Sequence, residues 1–370
     1  MTPEDLRAAI PATDDAVYLN TGASGPSPRS VTEATKGAVD EHERSHADSD
    51  PYEYAFGAYE ETREAVAGFV GAAPEEIALT NSTADGISRV AAAMDWEPGD
   101  VVVRTDLEHP AGILPWRHLA ETHGVEVRTV ACEGGRLPLD AVKEATRDAK
   151  LFAFSALSWN YGTRLPVAEA VDIARDNGAR TLVDAVQVPG HVPVDYGEWG
   201  ADFVAAAGHK WLLGPWGAGF LYVRDGAAAA LDPAAVGYRG VVEPNADEGY
   251  EFHPGARRFE VGTVSPAPYA GLREAIDVMA SVGPDAVRDR IEGLTERLKS
   301  GIDDERLLSP REFESGLVTL SDDDPAGTVE RLRDEGIVVR SIPDPASLRV
   351  SLHAFNTADD VDAFLDAFEA

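Results

Sequence analysis

Lys210 stands between two apolar runs, in GADFVAAAGHKWLLGPWGAGFLYVR (200–224). Lysine is seldom buried without a partner or a task, and this chain has lysine only at positions 36, 143, 150, 210 and 299. One strand–helix unit earlier, RTLVDAVQ (180–187) sets Asp184 at the end of another apolar run. A strand-end amine and a strand-end carboxylate are what a pyridoxal 5′-phosphate (PLP) site requires. The amine holds the cofactor's aldehyde as a Schiff base. The carboxylate keeps the ring nitrogen protonated, so the ring can absorb the electron pair released at a substrate's α-carbon.

The other needs of such a site can be sought in turn. A phosphate calls for hydroxyls and N–H groups at a helix N-terminus, and TNSTADG (80–86) offers Ser82 and Thr83. A ring calls for a flat partner, and DLEHPAGILPW (106–116) supplies His109 just past a strand ending near Thr105. A substrate carboxylate calls for a bidentate arginine, and SLRVSLHAFNT (347–357) supplies Arg349. Each residue alone has a plainer reading: a turn aspartate, a helix cap, a satisfied histidine, a structural ion pair, a lysine reaching for water.

The elements around these residues fit the placement. Apolar runs at 75–80, 100–105, 125–132, 151–157, 180–186, 201–207 and 220–224 read as strands. Helical patterns at 83–94, 111–124, 137–148 and 167–178 lie between them. Strands separated by helices predict βαβ units and a mostly parallel sheet. In such sheets ligands bind beyond the carboxyl ends of the strands, which is where Asp184 and Lys210 fall. After about residue 235 the pattern turns irregular, then resumes as helices near 284–301 and 326–336 with short strands between and after them.

Composition narrows the partners. The chain has 65 Asp+Glu against 32 Lys+Arg, a formal net charge of −33, with acidic runs such as 46–51, 245–249 and 321–325 dispersed along it. A dispersed acidic surface with little lysine suits a cytoplasm near molar salt, where the Debye length is roughly 3 Å, so a halophilic source is expected. No basic stripe exists for nucleic acid or anionic membranes. The acidic N-terminus and the absence of a long apolar run predict a soluble, cytoplasmic protein. Cys132 is the single cysteine, which excludes an intramolecular disulfide and a Cys-rich zinc site.

In order along the chain, NSTADG, EHPAGILPW, WNYGTRLPVAEAV, VDAVQVPGHVPVD, GADFVAAAGHKWLLGPWGAGFLYVR, RRFEVGT and LRVSLHAFNT resemble the class V aminotransferase family of fold-type I PLP enzymes. That family includes cysteine desulfurases, selenocysteine lyases and isopenicillin-N-epimerase-like proteins. The opening VYLNTGASGPSPRSV (17–31) carries the resemblance towards the N-terminus. It implies an α/β fold in three parts: an arm (1–16) packed on the small domain, a large PLP-binding domain (17–255) and a small α+β domain (256–370). It further implies Lys210 as the Schiff-base lysine, Asp184 on the pyridine nitrogen, Gln187 near the phenolic oxygen and His109 stacked on the ring. Ser82, Thr83 and His209 would bind phosphate, with Thr263 reaching across a homodimer. Arg349, with Asn160, would hold the substrate carboxylate; no metal is implied.

Three departures qualify the match. Ala207 stands where many relatives place a phosphate-binding Ser or Thr. Trp159 stands where relatives often carry the asparagine that Asn160 follows by one step. The segment VVRSIPDPASLRV (338–350) lacks the thiol that a persulfide-forming desulfurase needs. The sequence therefore predicts an α-amino-acid enzyme, first an aminotransferase, next a C–S or C–Se β-lyase without a catalytic cysteine, then an epimerase. A non-catalytic PLP-binding protein is the reading from another class. A nucleotide-binding dehydrogenase lacks its GxGxxG turn after an early strand.

Overall fold

The computed structural model describes residues 1–47 and 50–369; Asp48 and Ser49, within the acidic run at 46–51, and Ala370 lie outside the described residues. Its strands are β1 (Val17–Tyr18), β2 (Ile77–Thr80), β3 (Val101–Thr105), β4 (Glu126–Val130), β5 (Leu151–Ser155) and β6 (Arg180–Asp184). They continue with β7 (Phe203–Ala207), β8 (Gly219–Val223), β9 (Leu317–Ser321), β10 (Ile337–Val338), β11 (Arg340–Pro343) and β12 (Ala346–Ser351).

Seven of these form one sheet in the order β2-β8-β7-β6-β5-β3-β4. Its pairings are parallel except those of β8, which runs antiparallel to β7 and β2. The fold is thus α/β, with a mixed, mostly parallel sheet flanked by helices. Strands β2, β5, β7 and β8 are buried along their whole length, as expected for strands covered on both faces. A second sheet, β11-β12-β9, is antiparallel. Strands β1 and β10 pair in parallel beside it.

The helices end where their residues dictate. Helix Pro51–Val70 starts at Asp50, whose carboxylate accepts from Tyr52 N–H, and stops at Gly71 in the left-handed region. The segment 111–124 is not one helix: a short 3-10 turn at Pro110–Gly112 precedes helix Leu114–His123, whose first turn holds Pro115. Proline fits there because a first-turn N–H has no partner inside the helix. The long helices Arg29–Ser45 and Pro51–Val70 precede the first strand read from the sequence and were not anticipated there.

Packing sorts the buried residues into separate cores. Ala256 and Phe259 belong to a core on one face of the large sheet, and Tyr269, Leu272 and Ile276 of helix Ala267–Val282 to the core on the other. The separate core of the smaller unit gathers Leu19, Leu294, Leu298 and residues of β9, β10 and β12. The N-terminal arm touches both units: Arg7 pairs with buried Asp360, while Leu6 and Ile10 join the large core. Among the described residues no helix is long and apolar enough to cross a membrane.

Candidate active site

The carboxyl ends of the parallel strands meet at one edge of the large sheet. Thr80, Ala207, Asp184, Ser155 and Thr105 each end a strand there, and Gly219 of antiparallel β8 pairs with both Thr80 and Ala207. Beyond that edge lies a cleft of about 250 Å³. Ser82, Thr83, His109, Asp184, Gln187, His209, Lys210 and Arg349 all line it. Residues scattered over the chain are therefore brought together by topology, each from the loop after its strand or from the second sheet.

Asp184 is buried at the end of β6, where Oδ1 accepts from Val186 N–H at 2.9 Å. Burial raises its pKa, and the Lys210 charge pulls the other way. No protein group bonds its second oxygen among the described residues. The Lys210 side-chain amine makes no hydrogen bond or ion pair among them either. Burial brings its pKa down to about 8, opposed by Asp184 and aided by Arg349 and Arg340. The amine is thus partly neutral near physiological pH, the form that attacks an aldehyde.

Ser82 caps helix Thr83–Ala93, its hydroxyl accepting from Asp85 N–H at 3.1 Å. The Thr83 hydroxyl is buried in the cleft wall without any partner among the described residues. A partnerless hydroxyl at the start of an 11-residue helix is a waiting hydrogen-bond donor for an anion. His109 sets its ring edge-on to Trp159 at 5.3 Å, and its Nδ1 accepts from Ala111 N–H. Burial, then the charges of Lys210, Arg340 and Arg349, holds its pKa down to about 4, so the ring stays neutral. His209 is likewise lowered to about 4 by burial and Lys210.

Arg349 on β12 is fully buried, donates from Nη1 to the Trp159 carbonyl at 2.9 Å and leaves Nε unbonded. Burial and Arg340 lower its pKa to about 9. Arg340 is its cross-strand partner in β11, also lines the cleft, and has no acidic partner among the described residues. Two guanidinium groups without a carboxylate prepare the cleft for an anion. The sequence reading missed Arg340, because only strand register puts it opposite Arg349. It also missed Glu108, one residue before His109. That carboxyl accepts from Thr105 Oγ1 (2.5 Å), Ser155 N (3.0 Å) and Ser155 Oγ (2.7 Å), tying β3 to β5 beneath the cleft.

Asn160 does not line the cleft, and neither does Thr263, which was expected to reach the site of a second copy. Asn160 is buried with its amide in use, donating to the Asp344 carbonyl and accepting from Ser158 Oγ; Trp159 faces the cleft instead. Thr263 lines a separate depression with Asn81, Arg89 and Arg239. Ala207 is buried as the last residue of β7 and supplies no polar group.

The donor set fits PLP: a free amine, a carboxylate with an open oxygen, an unpartnered helix-start hydroxyl and a neutral imidazole face share one cleft. Comparison with known proteins agrees with this geometry. The family model for Aminotransferase class-V matches residues 17–364. A probable cysteine desulfurase of Methanothermobacter thermautotrophicus is 34% identical, with 100% of this chain and 98% of that protein aligned. The isopenicillin N epimerase of Streptomyces clavuligerus is 31% identical over 99% of this chain and 98% of its own. A solved complex between the cystine C–S lyase C-DES and its reaction product cysteine persulfide superposes with a TM-score of 0.91. It is 26% identical and is aligned over 97% of this chain and 98% of its own.

Proposed function

Because the chain belongs to the class V aminotransferase family, we propose that it is a PLP enzyme that breaks the Cβ–S bond of a cysteine derivative and leaves the sulfur on the departing fragment. The observation that carries this reading is a cleft with two acid-free arginines and no thiol. Cys132 packs in the core outside the cleft, where burial and then Asp106 push its pKa up to about 12. A thiolate nucleophile is therefore not at hand, and β-elimination needs none. The likeness to a cystine C–S lyase supports the same reaction.

When bound, PLP withdraws electrons from the α-carbon of an amino acid joined to it. Lys210 would hold the cofactor, and its amine, partly neutral near physiological pH, would move the α-proton of the bound amino acid. Asp184 directs its open oxygen to the ring nitrogen and keeps it charged. Thr83, with the N–H groups at its helix start, receives the phosphate, and neutral His109 covers the ring. Arg349 takes the α-carboxylate, and Arg340 a second carboxylate on the far side of the sulfur. Elimination breaks Cβ–S, the sulfur fragment leaves with the bonding pair and gains a proton, and hydrolysis of the remainder gives pyruvate and ammonia. Across a homodimer, Thr263 of a second copy adds a further phosphate ligand.

Transamination is the second reading, and the same arginine pair favours it by suiting a dicarboxylic keto acid as acceptor. Purified protein loaded with PLP and given cystine should release pyruvate and ammonia with a persulfide, and K210A should release none. R340A should raise KM about tenfold for cystine but leave β-chloroalanine, which has one carboxylate, within about twofold. Amino transfer to a keto acid without sulfur release would overturn the lyase reading in favour of transamination. Turnover by K210A would overturn both.

A further inference from the structure

We propose that Trp211, buried behind Lys210, fixes the Gln187 side chain so that it presents only its N–H edge to the cofactor's ring oxygen. The proposal rests on PLP occupying the cleft. Gln187 lines the cleft, while Trp211 is fully buried and does not. The indole Nε1–H donates to Gln187 Oε1 at 2.6 Å. Gln187 Nε2 donates to the carbonyl of Gly22, which also lines the cleft, at 3.0 Å. An indole nitrogen can only donate and a carbonyl can only accept, so these two bonds leave one orientation of the amide. Its oxygen turns to the interior, and its nitrogen, with one hydrogen still free, lies on the cleft side.

The indole is itself held. His191 stacks on it at 3.4 Å with planes 7° apart, and His353 lies 5.8 Å away with its Nε2 on the Trp211 carbonyl. His191 Nε2 accepts from Gly316 N–H, so its Nδ1 carries the proton and donates to the Gln187 carbonyl at 2.9 Å. The stack thereby grips Gln187 at both its main chain and its side chain. Neither histidine charges near neutrality, since burial lowers them to about 3 and about 4. Gln187 thus acts as a donor at every working pH. A donor at a phenolic oxygen favours its anionic form; Trp211 is a positioning residue for that preference.

The test is a pH titration of the visible absorbance band of the PLP-loaded protein. W211F keeps the stacking ring and deletes the N–H. Its band should titrate roughly half to one pH unit higher, the worth of one hydrogen bond. Q187A should shift it at least as far, and W211F should add nothing in the Q187A background. A wild-type titration in PLP-loaded W211F, or a full further shift in the double variant, would overturn the role of Trp211. A wild-type protein that takes up no PLP would instead overturn the cofactor reading beneath it. Should W211F not fold, indole N–H exchange decides. Q187M should abolish the protection of Trp211 and Q187E should retain it; unchanged protection in Q187M would overturn the proposal.

Discussion

Glu108 places a buried carboxyl beneath the cleft, and its protonation should be visible in stability. Burial raises its pKa to about 7, with Asp184 adding to the effect and the Thr105 and Ser155 hydrogen bonds opposing it. The folded protein therefore keeps a proton that the unfolded chain loses near the ordinary carboxyl value of 4.5. Its contribution is full below that value and fades as pH rises through about 7. The span corresponds to roughly 3 kcal/mol. E108Q, which cannot titrate, should lose correspondingly less stability than wild type between about pH 5 and about pH 8 in denaturant melts. Equal slopes would show that Glu108 does not titrate there. At this scale the sequence was informative where a residue's position relative to its strand was enough, as for Lys210, Asp184, Thr83 and His109. It was silent on Arg340 and Glu108, whose roles come from register and from neighbours far along the chain. It could not show that the Asn160 amide is engaged within the protein, donating to the Asp344 carbonyl and accepting from Ser158 Oγ.

The helix Thr83–Ala93 owes its exposed start to a neighbour without a side chain. A Cβ on Gly219 would lie 2.8 Å from the Ser82 backbone, which cannot yield as a side chain can. G219A should cost about 1–3 kcal/mol and weaken PLP binding, because the helix start must move. S82A should cost only about 1 kcal/mol, the loss of a cap, and leave PLP affinity near wild type. Thermal melts with and without PLP check both, and equal PLP affinity in G219A and wild type would remove the packing argument. The strands were legible within a few residues because their apolar runs are sharply bounded. The break before Leu114 was not, since the helical pattern continues across it. Nor was the placement of helix Ala267–Val282, since an apolar face does not say which core it meets.

The whole molecule carries a charge of −33, and that number was as plain in the sequence as in the fold. Exposed carboxylates at this density repel one another at low ionic strength, and the compact state concentrates them. Thermal stability should therefore rise between about 0.2 M and about 2 M potassium chloride, where the screening length contracts to a few ångströms. A fall over that range would mean that the surface ion pairs contribute more than the repulsion. That two copies assemble was implied only by the family resemblance, because association depends on the shape of a surface that no single residue pattern encodes.

Arg340 and Arg349 are cross-strand partners lining the cleft, and neither pairs with an acid among the described residues; this has a consequence for any titration of the cleft. The chloride that calms the acidic exterior is itself an anion, and the paired cations offer it a berth. Added electrolyte then acts with opposite signs on the two parts of the molecule, tightening the fold while competing for the place a carboxylate must take. A substrate's apparent affinity is in this way a property of the bathing solution as much as of the cleft.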